Sequence, residues 1–266
     1  MKKANTTLLF LTISCLCYSQ ENKFDFERIE DNSFLIEEAY NQEPKVIQHI
    51  SGFQYLMDKT WIYTFTEEWP LSGQKHQISL TIPVPGFSYS GLGDILLNYR
   101  FQAFLKQRIA FSPRFSVILP TGDTKRRLGN GVPGYQLNLP FSFIATPRFV
   151  THYNLGTTET FGARDPDDNL SDISTINYGA SVIYLLSENF NLMLELAGNS
   201  TRIKPAGLKA VNHGSFYINP GFRAAINFKS GLQIVPGLAF PVGNGKDNYG
   251  IFLYLSFEHS VEKRRG

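Results

Sequence analysis

Six side chains offer the chemistry in this sequence: Arg100, Arg114, Arg148 and Arg223, with His152 and Glu195. Each falls on the polar side of a stretch in which apolar and polar residues alternate with a period of two. Guanidinium groups hold carboxylates and phosphates through paired N–H donors. Enclosed by strands, such a set forms a basic constriction that selects anionic or polarisable aromatic solutes, as charged rings do in pores. Across the turn at Lys106-Gln107, paired residue numbers sum to about 213, so Arg100 faces the neighbourhood of Arg114. Like charges side by side repel unless an acid or an anion lies between them. The competing arrangement is a filled lumen in which the arginines pair with Glu68, Glu195 or Glu258.

Other constellations are weaker. Asn212-His213-Gly214-Ser215 is similar to the His-x-Ser motif of outer-membrane phospholipase A, in which a histidine activates a serine nucleophile. Phe216 and Tyr217 depart from that family's polar continuation, and no residue stands out to orient His213, so no enzymatic role is expected. Gly129–Gly134 lacks the Gly-Lys-Ser/Thr ending of a phosphate-binding loop. Asp165-Pro166-Asp167-Asp168 lacks the ligand spacing of a calcium hand. Neither a metal nor a cofactor is expected. Lys125-Arg126-Arg127 can meet those acids or a sugar-phosphate surface.

The elements that position these residues are strands. From Arg108 to Glu258 the alternation is nearly continuous, and about twelve strands are predicted: 46–55, 60–69, 75–84, 91–105, 108–119, 134–146, 148–159, 172–187, 189–202, 213–229, 231–242 and 248–259. Tight turns at Lys106-Gln107, Pro147, Glu188 and Ser230 alternate with longer connections at Pro120–Pro133, Thr160–Ser171, Ile203–Asn212 and Gly243–Asp247. That asymmetry, and strands long enough to cross a bilayer, predict an all-β transmembrane antiparallel barrel with both termini in the periplasm. Ile109, Phe111, Phe115, Val117, Leu137, Leu139, Phe141, Phe143, Leu192, Leu194, Leu253 and Leu255 are assigned to the lipid face. The alternatives are a soluble β-sandwich and a lipocalin-like barrel, in which the same apolar residues would form an inner core.

Residues 1–19 read as a signal peptide, with Lys2 and Lys3 before an apolar run and Cys17-Tyr18-Ser19 before the cleavage point. A lipoprotein signal at Cys15 is the rival reading. Cleavage after Ser19 removes both cysteines and leaves 25 − 2 = 23 basic against 23 acidic residues, which excludes disulfide chemistry and a basic nucleic-acid footprint. Residues 20–45 form a leader: either an unstructured periplasmic stretch, or a short helix capped at Asp31, Asn32 or Ser33 that folds into the lower barrel mouth. The barrel spans 46–259 and a tail follows at 260–266. Asn248, Gly250, Leu253, Leu255 and Phe257 are similar to the signal read by barrel-insertion machinery.

Asp31–Glu43, Gly91-Leu92-Gly93-Asp94 and Leu119-Pro120-Thr121-Gly122-Asp123 together resemble a family of outer-membrane proteins described as components of the phenol meta-degradation pathway, or simply as transporters. The resemblance covers about residues 28 to 258. It implies a barrel in the bacterial outer membrane that passes small aromatic or apolar compounds. The expected partners are outer-membrane lipids and lipopolysaccharide, the assembly machinery and a small solute, with the chain a monomer.

Overall fold

The computed structural model describes residues 29, 33–245 and 248–260. The signal peptide, the proposed cap positions Asp31 and Asn32, and the tail after Ser260 lie outside the described residues.

The chain forms a closed antiparallel barrel of twelve strands. They are β1 (Val46–Leu56), β2 (Trp61–Ser72), β3 (His76–Gly86), β4 (Ile95–Phe101 and Phe104–Lys106), β5 (Ile109–Phe111 and Arg114–Leu119), β6 (Gly134–Asn138 and Phe141–Thr146), β7 (Phe149–Arg164), β8 (Leu170–Ser187), β9 (Phe190–Pro205), β10 (Val211–Ala224 and Ile226–Asn227), β11 (Gln233–Ala239 and Val242–Gly243) and β12 (Gly250–Ser260). Each pairs with its neighbours in sequence, and β1 closes the ring against β12 from Val46↔Ser260 to Leu56↔Gly250. Closure leaves no edge whose N–H and C=O groups would face hydrocarbon.

Proline accounts for three of the strand interruptions. Pro113, Pro140 and Pro241 have no N–H to give to a ladder, and the breaks in β5, β6 and β11 fall beside them. The breaks at Gln102-Ala103, Ser112-Pro113 and Leu139-Pro140 lie on adjacent strands, bridged by bonds from Phe101 N to Pro113 O (3.0 Å) and from Ser112 N to Pro140 O (3.2 Å). They form one seam of irregular backbone across β4–β6.

The barrel is apolar outside and polar inside. Leu137, Leu192, Leu194, Leu253, Leu255, Phe115, Val117 and Phe143 are exposed on the outer face, while Gln77, Asn98, Arg100, Ser116, Ser142, His152, Glu195 and Arg223 are buried within. A soluble sandwich or lipocalin-like barrel would invert this arrangement. The lumen is not polar throughout, however. Towards the short turns Ile144, Val150, Ile183, Leu185, Met193, Ala225 and Val235 are buried and pack with Ile29 and Phe34 into an apolar cluster.

Two outer connections are shorter than the sequence predicts. β7 runs on to Arg164 and β8 begins at Leu170; β9 runs to Pro205 and β10 begins at Val211. The ladder continues past the predicted strand ends. Pairs such as Asp172↔Lys204 and Ser171↔Pro205 carry it further.

An arginine placed on the lipid face at mid-strand should destabilise the barrel by roughly 2–4 kcal/mol. Leu194→Arg should therefore lower unfolding stability in lipid bilayers, while Thr64→Arg, facing the outer cavity, should be nearly neutral. Equal losses at the two positions would show that the faces are reversed.

Candidate functional site: a chain segment across the lumen

Pro44 and Lys45 lead β1 back into the barrel, with Lys45 in the left-handed region (φ 68°). The preceding residues, 33–43, form neither helix nor strand and sit inside the lumen. The expected short helix is therefore absent, and the lumen-inserted alternative for the leader holds for these residues. The reason lies in the wall, which offers partners for backbone groups that a helix would otherwise satisfy internally.

Glu195 Oε1 accepts from Leu35 N (2.9 Å) and Ile36 N (3.2 Å), while its Oε2 accepts from Asn219 Nδ2 (2.6 Å). Asn154 holds Glu37 from both sides, accepting from its N–H and donating to its C=O, each at 2.8 Å. Ser142 Oγ accepts from Ala39 N (2.8 Å), and Ser112 Oγ and Gln102 Nε2 donate to Ala39 O (2.9 and 2.8 Å). Gln102 Oε1 accepts from Asn41 N (3.0 Å) and Gln77 Oε1 from Gln42 N (2.7 Å). Ser112 and Gln102 border the irregular seam of β4–β6, so the wall departs from regular pairing where the segment touches it. The side chains fit as closely. Phe34 lies over Gly221 and Gly237, where an added Cβ would come within 2.7 Å and 2.5 Å of its ring. Ile36 fills the same kind of notch at Gly179.

Two acids anchor the segment electrostatically. Glu37 receives Arg100 Nη1 on Oε1 (3.2 Å), and Arg114 Nε (2.9 Å) and Asn138 Nδ2 (2.7 Å) on Oε2. Arg100 and Arg114 are direct cross-strand partners, so Glu37 is the acid that separates them. Arg100 also lies 3.7 Å from Glu68 and donates to Asn41 Oδ1, Glu38 O and Tyr40 O. Glu38 Oε1 receives Arg223 Nη2 (3.3 Å) and lies 3.4 Å from His152 Nε2, whose Nδ1 is 2.7 Å from Ser142 Oγ. Arg223 Nη2 further donates to Ile29 O (3.0 Å).

Five of the six singled-out residues thus meet around the segment. Arg148 does not: it is exposed beside the turn after Pro147, and its guanidinium donates to Tyr184 Oη at 3.4 Å. Proximity to a turn carries its long side chain out of the barrel. Of the acids expected to pair with the arginines, Glu68 does so; the principal partners, Glu37 and Glu38, come from the leader instead. Asn138, Asn154, Gln77, Gln102 and Ser142 were missed. Their common signal is an amide or hydroxyl on the inward side of a strand.

Above the segment an outward-facing cavity of about 550 Å³ opens, lined by Thr64, Thr81, Asn98, Gln136, Asn199 and Ser215, with residues 33–37 as its floor. Two connections are joined by a clasp. Asp94 accepts from Gly122 N (2.9 Å) and Asn130 N (2.8 Å), and Thr121 Oγ1 donates to Gly93 O (2.7 Å). Lys125 Nζ meets Asp168 at 2.7 Å across the outer loops. The side-chain amide of Asn169, then the N–H groups of Asn169 and Asp167, hold the Asp165 carboxyl below the usual range, so this acid is occupied in building its own turn. Ser215 Oγ accepts from Asn199 Nδ2 (2.7 Å), and no hydrogen bond joins it to His213 among the described residues.

No protein-family model and no curated protein sequence matches the chain. Solved structures do. An outer-membrane channel from Pseudomonas putida F1 superposes with a TM-score of 0.62 at 10% identity, over 83% of this chain and 97% of that one. A NanC porin superposes with a TM-score of 0.54 at 12% identity, over 81% of this chain and 100% of that one. At these identities the likeness is one of fold: this chain has the architecture of an outer-membrane barrel.

The geometry makes the seating of the segment measurable. Ala39 is fully buried, and no cysteine follows Cys17 in the chain. In a chain that starts at Gln20, a cysteine introduced as Ala39→Cys should resist a small thiol reagent. Adding Glu37→Gln and Glu38→Gln should speed labelling by about tenfold or more, the change that about 1.4 kcal/mol of lost binding free energy produces. Labelling rates that ignore both replacements would remove the acids from any anchoring role.

Proposed function

We propose that this protein is a channel of the bacterial outer membrane for a small solute, closed at rest by residues 33–43. One observation carries the reading: the outer cavity ends on a floor that belongs to no wall strand. A floor built into the ladder could not leave without breaking the barrel. This one is held by side chains and enters from the periplasmic end, so the wall can stay closed when it moves. The barrel fold supports this reading, as does the resemblance of three segments to transporters of small aromatic or apolar compounds. Those segments are not scattered. One contains the floor, and the other two are the halves of the clasp formed by Asp94, Thr121 and Gly122.

In this reading Arg100, Arg114 and Arg223, with His152 and Glu195, line the passage that opens. Fixed positive charge in a narrow, poorly screened space favours anions.

Deleting residues 20–43 should raise single-channel conductance in planar bilayers while heat-modifiable migration shows a folded barrel. In that deleted chain, Arg100→Gln with Arg114→Gln should shift reversal potentials away from anion selectivity. A folded but silent deleted chain would favour a closed barrel with a structural or surface-binding role.

A further inference from the structure

Glu37 does to Arg100 and Arg114 what a dissolved carboxylate would do. Both its oxygens are used, one by each guanidinium, and Asn138 adds a third donor. Arg100 keeps a second carboxylate, Glu68, at 3.7 Å. Arg114 has neutral partners besides Glu37: Asn98 Oδ1 (2.9 Å), Ser116 Oγ (2.7 Å) and Gln136 Oε1 (2.9 Å). These acceptors hold its fork in place without discharging it. Without Glu37, two directly paired cations would face each other in a confined space, an arrangement that calls for an anion.

The site can be reached. Glu37, Arg114, Gln136, Asn138 and Asn154 all border the outer cavity, and its volume of about 550 Å³ lies within the range of small-molecule sites. A solute arriving from outside therefore meets Arg114 before any other cation of the lumen floor. The opposite end offers it no comparable path while Ile29 and Phe34 are packed there against Ile183 and Met193.

We infer that the solute is a small organic carboxylate, and that it exchanges with Glu37 for Arg114 and Arg100. This inference rests on the channel reading. The exchange conserves charge at the two arginines: one carboxylate leaves as another arrives, and Glu37 returns to water. A neutral solute of the same shape offers no such replacement and leaves the segment seated. The leader thereby acts as a tethered competitor, and the solute itself opens the way through.

The test uses the full mature protein in proteoliposomes, with benzoate as probe and benzamide as its neutral isostere. Benzoate should pass at least about tenfold faster than benzamide, the discrimination expected of one charge-assisted contact. Arg114→Gln should equalise the two rates, and Arg114→Lys should restore part of the preference. Glu37→Gln should lower the benzoate concentration for half-maximal flux by about tenfold, because the competitor has lost its charge. Heat-modifiable migration of each variant separates lost selectivity from lost folding. If benzoate and benzamide pass equally in the parent and in Glu37→Gln, the carboxylate assignment is wrong, while conductance after deletion of residues 20–43 would still uphold the channel. If the deleted chain is silent as well, the channel reading itself falls.

Discussion

At membrane depth, a backbone N–H or C=O without a partner is a defect that the structure cannot hide, because no water is there to take its place. The closed ring from β1 to β12 answers this for the wall. Residues 33–43 pose the same problem without a ladder, and the wall answers it with side chains: Glu195, Asn154, Ser142, Ser112, Gln102 and Gln77 each take a backbone group of the segment. The polar lining of the lumen is therefore not simply solvent-facing. Much of it is a template for one irregular piece of chain.

The wall was legible in the sequence because the bilayer imposes a period. Phe115 and Val117 face lipid while Arg114 and Ser116 face inward, and only the two-residue repeat of a strand allows that. The register around Arg100 and Arg114 followed from the turn between them. The inserted segment was not legible in the same way, since it repeats nothing. Asp31, Asn32 or Ser33 could cap a helix with Glu37 in its first turn, and locally that is a fair reading. It fails because the contacts that decide lie far along the chain: Ser181 for Ser33, Glu195 for Leu35 and Arg223 for Glu38, the last separated by 185 positions. A signal was present nonetheless. Glu37 and Glu38 are adjacent acids flanked by Ile36 and Ala39, an apolar setting for a solvated leader.

Arg148 and the outer connections failed for a related reason. Alternation reports which way a side chain points along a strand, but not where the bilayer ends. Past the predicted strand ends the ladder continues, and at the turns a long cation swings free. The clasp around Asp94 shows a third limit. Gly93-Asp94 and Thr121-Gly122 looked like separate turn motifs, yet each supplies half of one hydrogen-bonded unit.

The placement of the segment next to β1 has a bearing on how the protein is made. β1 is the first strand to emerge during synthesis and pairs with the last, β12. The segment's anchors on β9 and β10 are likewise late arrivals, with Arg223 lying 194 positions beyond Ile29. Contacts of such high sequence separation form slowly. Glu37 and Glu38 reach arginines on β4, β5 and β10, so the segment's full set of partners exists only once those strands stand in one ring. Closure of the wall and seating of its contents are thereby linked.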